Sequence, residues 1–390
     1  MLIFAANLAF YIQFFMLPGD VIVIGGGATG MVAAISAARE SANVTIIEKM
    51  ERLGRKMRIT GKGRCNITNT KPWNEFSSHL YPKSNFFKPA FFNFSNIDTV
   101  NFFESIGLKT VVERGDRVFP LSGVASDVVG ALSEEIDRLG VKTFYNTKVT
   151  ELIITDDKIC ELSVVSNSSS VNNKGRFKPG AVIIATGGLS YPSTGSDGDG
   201  YIFAKNAGHK VIDCMPSLTA LMPVGYNRSL EGLKLKNVEL TLYIDKDVAQ
   251  KEMGDLDFTN NGIEGPIGFK ISRKAVKAIK SGNRCFVVLD LKPALSEDQL
   301  AGRINRDLNV EGGISINQLF KKLLPVQLIP AFQIYTGLNN DSLALTKRSR
   351  TVETLVRSLK NWKIEIGSYT SYERAVVTAG GVSLDEIFPK

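Results

Sequence analysis

The chain has 390 residues, 44% of them hydrophobic and 22% charged, enough to bury one large core or two to three smaller ones. Its formal charge of +8 is spread along the sequence without a dense block, which argues for a solvated basic surface and against nucleic acid as a partner. The four cysteines, Cys65, Cys160, Cys214 and Cys285, are far apart and form no C-x-x-C. No metal site or disulfide framework is therefore expected, and a reducing cytoplasm is the expected compartment.

Residues 1–17, MLIFAANLAFYIQFFML, carry no charge. They lack the basic start and small-residue cleavage site of a secretory signal, and are shorter than the roughly 20 apolar residues of a membrane span. Met16 is the expected natural start, and membrane contact is expected only if residues 1–17 belong to the protein.

Val21–Ile24 is a short β-branched run. Gly25-Gly-Gly-Ala-Thr-Gly30 follows at once, and Met31 to Ala38 reads as an alanine-rich helix. In this G-x-G-x-x-G pattern Gly25 permits a tight turn, Gly27 lets backbone approach a pyrophosphate, and Gly30 lets helix and strand pack closely. Ala28 and Thr29 open the helix, whose free N–H groups and positive dipole end suit phosphates. A second strand, Asn43 to Ile47, ends in Glu48, 18 residues past Gly30, where a carboxylate can accept from ribose hydroxyls. Strand, glycine turn, helix, strand and acid in that order point to a dinucleotide.

The segment after Glu48 decides which dinucleotide. Where a nicotinamide dehydrogenase would continue with another helix and strand, this chain has the basic, glycine-rich run from Lys49 to Asn69. Its glycines at 54, 61 and 63 permit close backbone approach, and Arg55, Lys56 and Arg64 could neutralise a pyrophosphate or line a flavin. That favours FAD.

Further on, Ala125 to Leu139 has helical spacing, while Lys142–Tyr145, Lys148–Ile154 and Ile159–Val165 read as strands before an Asn/Ser-rich loop, 166–174. Ala181 to Gly188 is a buried strand running into a second glycine turn, in which Ala185, Thr186, Gly187 and Gly188 would again meet the cofactor. The hydroxyl-rich loop that follows offers Tyr191, Ser193, Thr194 and Asp197 to orient substrate, and His209 reads as a helix-end residue. Shorter strands such as Val238–Ile244 and Cys285–Leu289 alternate with helical runs at Ile267–Ile279 and Thr351–Leu359. No second G-x-G-x-x-G occurs, so NAD(P)H is expected only as a visiting reductant.

GGGATG, LGRKMRITGKGRCNITN, ATGGLSYPSTGSDGDGY and TAGGVSLDEI together resemble the HI0933-like (YhiN/BaiN-type) flavoprotein family over roughly 18–390. The resemblance implies an α/β, Rossmann-like FAD-binding domain of the GR2 type, interrupted by a β-barrel-like insert with a small helical subdomain. The expected layout is an apolar extension at 1–19, a discontinuous FAD domain at 20–191 and 370–390, and an inserted substrate domain at 192–369. It also brings Gly63, Arg64, Cys65 and Asn66, the backbone of Val149 beneath the adenine, and the turn at Gly380 and Gly381 to the cofactor. The family's members include aminoacetone oxidases and reductases of conjugated bonds in bile acids. Two reactions on a small organic substrate therefore stay open, reduction of an activated C=C bond and oxidation of an amine. In the family a further strand and helix follow the Gly380-Gly381 turn, so the end at Lys390 reads as a truncation. A degenerate FAD fold without turnover is the alternative.

Overall fold

The computed structural model describes residues 12–14, 20–80, 84–166, 173–309, 314–343 and 348–388. The chain forms two compact units, 1–213 with 380–390, and 214–379. The breaks expected from sequence were 191/192 and 369/370.

In the first unit, β2 (Val21–Ile24) leads through the glycine turn into α1 (Ala28–Arg39) and back into β3 (Val44–Ile47). Strand β1 (Ile12–Phe14) precedes them. α1 starts three residues ahead of the expected Met31, because the last residues of the glycine motif already form its first turn. Next come α2 (Ala125–Arg138), β4 (Lys142–Phe144), β5 (Thr147–Thr155), β6 (Lys158–Ser166), β7 (Asn173–Phe177), β8 (Ala181–Ile184) and α3 (Asp199–Asn206). Strands β8, β2, β3 and β4 form a parallel sheet in that order, with Val21 opposite both Ala181 and Val44.

Both faces of this sheet are covered, which is why its central strands are unbroken apolar runs. Val23 and Ile46 pack with Met31 and Ile35 of α1 and with Val128, Leu132 and Ile136 of α2. Ile22, Ile24 and Ile47 pack on the other side with Val149, Leu152 and Leu162. Glu135 ties the two helices together, accepting from Arg138 Nε at 2.6 Å and from Arg39 Nη2 at 2.7 Å. The Arg138 hydrogen bond, with Arg39 adding to it, holds the buried Glu135 carboxyl at a pKa of about 2.

A second sheet has the order β1, β7, β6, β5, in which β1 runs parallel to β7 and the other pairs are antiparallel. Residues 173 and 174, expected in a loop, belong to β7, while loop residues 167–172 lie outside the described set. So does Met16; Ile12–Phe14, within the apolar extension, pair with Gly175–Phe177. A small three-stranded sheet joins Thr68–Asn69, Arg117–Pro120 and Thr110–Glu113. No helix among the described residues is long and apolar enough to cross a membrane.

The second unit is built on a closed six-stranded barrel. Its strands are β9 (Leu221–Pro223), β10 (Lys234–Ile244), β11 (Asp247–Thr259), β12 (Gly262–Glu264), β13 (Cys285–Asp290) and β14 (Trp362–Tyr369). They close in the order β9, β12, β11, β10, β13, β14. Helix α4 (Gly265–Lys280) buries Ile267, Ile271, Ala275 and Val276 in the core that the barrel shares with α5 (Glu297–Leu308), α6 (Ile316–Leu323), α7 (Ile329–Thr336) and α8 (Arg348–Lys360). This matches the expected barrel with a helical piece.

Candidate functional site

A cavity of about 770 Å³ opens in the first unit at the carboxyl ends of β2, β3 and β8. The strand ends place the glycine turn there: Gly25 N–H donates to Ile47 O at 2.9 Å, and Ala185 N–H donates to Ile24 O at 2.8 Å. Gly25 has φ +102°, and a Cβ on it would stand 2.6 Å from Ala185 O. A Cβ on Gly30 would stand 1.9 Å from Gly25 O, so Gly30 is required by packing alone.

Gly27 is different. It caps α1 at an ordinary φ of −77°, and a Cβ there would meet nothing within 4 Å. Nothing in the fold requires glycine at this position, yet it faces the cavity at the end of α1 where backbone N–H groups have no helical partner. A ligand pressed against that backbone does require it.

Glu48 is buried at the end of β3, and each of its oxygens accepts one backbone N–H, Oε2 from Gly26 at 2.6 Å and Oε1 from Met50 at 2.8 Å. Each oxygen keeps a further lone pair for a hydroxyl donor. Gly54 N–H donates to Gly26 O at 2.9 Å, which lays the segment 54–57 along the glycine turn. Lys56 on this segment is half-buried, donates to Ser196 Oγ at 2.7 Å, and is pulled below the ordinary lysine range by burial. Among the described residues no carboxylate pairs with it, so it is a cation that faces the cavity uncompensated. Arg55 is tied to Glu51 at 2.5 Å and to Ser193 O at 3.0 Å.

Lys49 and Lys148 share Asp197 and Asp199. Lys49 Nζ meets Asp199 at 2.7 Å and also Asp197, and Lys148 Nζ meets Asp199 at 3.0 Å. Burial pulls Lys49 down, but the two aspartates outweigh it and hold the ammonium above its usual range. Asp197, expected to orient substrate, is thus part of an ion cluster.

Of the residues singled out in the sequence, Gly25, Gly27, Ala28, Thr29, Glu48, Lys49, Gly54, Arg55, Lys56, Val149, Ala185, Thr186, Gly187 and Thr194 line the cavity. Gly30, Gly63, Arg64, Cys65, Asn66, Gly188, Tyr191, Ser193, Asp197, Gly380 and Gly381 do not. Arg64 pairs with Glu113 and lies over the Phe119 ring at 4.3 Å, and Asn66 faces the carbonyls of Thr68 and Val118, so this stretch fastens the loop to the small sheet. Cys65 is buried, and burial pushes its thiol up, away from redox reactivity. Gly381 backs Tyr201, which lines the cavity; a Cβ there would stand 3.1 Å from the ring.

Sequence reasoning did not single out Leu152 and Ile159 from β5 and β6, or Tyr201, Phe203, Ala204 and Ala207 on and after α3, which also line the cavity. Phe203, Ala204 and Ala207 stand at helical spacing, which was the available signal. His209 Nδ1 lies 3.1 Å from Glu386 Oε2.

The model of the HI0933-like protein Rossmann domain matches residues 19–390. The chain belongs to this family. It is a Rossmann-fold flavoprotein of the oxidoreductase class, as the sequence motifs implied. It is 30% identical over 369 residues to the 3-dehydro-bile acid delta(4,6)-reductase of Clostridium scindens, covering 94% of this chain and 87% of that one. It is 27% identical over 375 residues to the ribosomal RNA dihydrouridine synthase of Haemophilus influenzae, covering 95% and 87%. Among solved structures, the 3-ketosteroid-delta4-(5alpha)-dehydrogenase of Rhodococcus jostii matches with a TM-score of 0.42 and 13% identity, over 97% of this chain and 86% of that chain. A flavocytochrome c3 fumarate reductase matches with a TM-score of 0.41 and 17% identity, over 82% and 61%.

Proposed function

We propose that the cavity holds FAD and that the chain reduces a C=C bond conjugated to a carbonyl. The observation that carries the cofactor reading is Gly27, a glycine with free space and ordinary backbone at a helix N-terminus, beside a cation with no carboxylate counterpart, Lys56. An anionic group lying on the turn accounts for both.

The residues present suit the adenosine diphosphate half of FAD. The N–H groups at Gly27, Ala28 and Thr29 and the Lys56 ammonium would hold the pyrophosphate, and Glu48 would accept from the ribose hydroxyls. The backbone of Val149, with Leu152, Ile159, Phe203 and Ala204, supplies an apolar slot for the adenine. When bound, the flavin supplies hydride transfer, and the protein contributes orientation and charge.

The C=C reading is supported by what two of the relatives act on. The delta(4,6) pair of double bonds in a 3-dehydro bile acid is conjugated to a ketone, and dihydrouridine is uridine whose ring double bond, conjugated to a carbonyl, has been saturated. Amine oxidation finds no such support. The small-molecule substrate expected from sequence fits the first relative, and a uracil ring carried by RNA fits the second. NAD(P)H is the proposed reductant, reaching the flavin directly. With four free cysteines, the proposed compartment is the cytoplasm.

Anaerobic stopped-flow spectroscopy tests the reading. The purified protein should show flavin absorbance that NAD(P)H bleaches and that an α,β-unsaturated ketone or uridine-bearing RNA restores. Absence of flavin refutes the cofactor assignment, and bleaching by an amine alone refutes the reaction.

A further inference from the structure

From Tyr191 to Asp197 every residue is exposed or half-buried except Ser196, which is only 8% exposed and lines the cavity of the first unit. The sequence does not single it out, since a serine in a hydroxyl-rich turn reads as turn chemistry. The fold makes room for it. Gly187, in the turn that follows β8, has φ +75°, and a Cβ there would stand 2.8 Å from Ser196 Oγ. The loop on either side is fastened to the basic segment after Glu48. Arg55 Nη2 donates to Ser193 O at 3.0 Å, and Lys49 holds both Asp197 and Asp199, the latter at 2.7 Å. None of these contacts uses the Ser196 side chain, so the loop keeps its place without that hydroxyl.

A hydroxyl has one proton to donate and two lone pairs with which to accept. Lys56 Nζ donates to Ser196 Oγ at 2.7 Å, and an ammonium has no acceptor, so this bond occupies a lone pair and leaves the Ser196 proton free. Among the described residues no acceptor takes that proton. A buried hydroxyl with an unused donor costs the fold free energy, and this one stands beside a cation that no carboxylate neutralises. The ammonium also polarises the oxygen to which it donates, which makes the remaining O–H a stronger donor than that of a free serine. One partner satisfies both groups, an anionic oxygen in the cavity.

We propose that Ser196 is a further ligand of the FAD pyrophosphate, donating its proton to a phosphate oxygen while it accepts from Lys56. The inference rests on the FAD reading of the cavity and adds a residue to it: Lys56 acts on the phosphates partly through Ser196, which fixes where the ammonium points. A flavin carbonyl would take the proton but leave the Lys56 charge uncompensated, so the phosphate is the partner that completes the pair. Its place follows from the backbone, because the Gly54 N–H bond to Gly26 O lays Lys56 along the glycine turn.

Calorimetric titration of the flavin-free protein with FAD, and separately with ADP as the half that carries the pyrophosphate, tests the assignment. Ser196→Ala should weaken both ligands about 10- to 150-fold, the range for a hydrogen bond to a charged group. The melting temperature of the flavin-free protein should stay close to that of the wild type. Ser196→Cys, of similar size but a weak donor, should lose affinity in the same direction and carries the test if the alanine variant does not fold. In a Lys56→Met background the alanine substitution should cost about threefold or less, because the hydroxyl has lost its polarising donor. A serine that only shapes the loop would cost the same in either background. Unchanged affinity, a loss confined to FAD with ADP unaffected, or equal losses with and without Lys56 each overturn the proposal and leave the cofactor reading standing. A wild type that binds neither FAD nor ADP refutes the cofactor reading, and the role of Ser196 with it.

Discussion

Gly27 and Gly30 stand three residues apart in one motif, and the structure assigns them opposite reasons for being glycine. In Gly30→Ala the new methyl would sit 1.9 Å from Gly25 O and 3.0 Å from Gly25 C, atoms of a turn fixed at both ends by strand hydrogen bonds. Such an overlap costs about 3 kcal/mol or more. At about 2–4 °C per kcal/mol for a unit of this size, the melting temperature should fall by about 6–12 °C. In Gly27→Ala the methyl meets no atom within 4 Å and the backbone is at φ −77°. Losing a glycine cap costs up to about 1 kcal/mol and restricting the unfolded chain returns about as much, so the melting temperature of the flavin-free protein should stay within a few degrees. Its FAD affinity should nonetheless fall about 10- to 150-fold, the worth of one charge-assisted hydrogen bond of about 1.5–3 kcal/mol from the backbone to a phosphate. Differential scanning fluorimetry with and without FAD, and fluorescence titration of the flavin-free protein, read both quantities. A Gly27→Ala variant that binds FAD as tightly as the wild type would refute the placement of the pyrophosphate on this turn.

Lys56→Met should lower FAD affinity about tenfold or more through the lost charge, without lowering the melting temperature of the flavin-free protein; unchanged affinity would remove Lys56 from the site. Because burial holds Lys56 below 10.5, the folded chain binds fewer protons than the unfolded chain in the window between the lowered value and 10.5. Flavin-free stability should therefore rise with pH across that window, an increment missing in Lys56→Met. Glu135, held at about 2 chiefly by Arg138 and then by Arg39, contributes stability that is complete above its ordinary 4.5 and is lost as pH falls through about 2. Glu135→Gln should cost about 1–3 kcal/mol near neutrality and flatten acid unfolding between pH 4.5 and 2, measured by urea melts; an unchanged acid limb would show that the clamp between α1 and α2 carries no stability.

The parallel sheet and the glycine turn were legible because their causes are local. A strand buried on both faces must be apolar throughout, and the turn at Gly25 needs a backbone that only glycine adopts freely, so Val21–Gly30 announces itself in ten residues. Strand β7 at 173–177 was not legible for the opposite reason: Asn173-Lys-Gly-Arg-Phe177 has no strand-like alternation and is extended because β6 offers it a partner. The stretch from Gly63 to Asn66 shows the limit of motif reading. A conspicuous motif need not touch the cavity, and here Arg64 and Asn66 spend their polar groups on Glu113, Thr68 and Val118.

Charge was the property read least well, and for a physical reason. In linear sequence Lys56 is one cation in a basic run; in the fold its neighbour Arg55 is paired with Glu51, and Lys49 with Asp197 and Asp199, which leaves Lys56 uncompensated. What a charge does is fixed by the partner that the fold gives or withholds. At the glycine turn the fold gives Lys56 no carboxylate, and the pyrophosphate proposed there is the partner that its charge lacks.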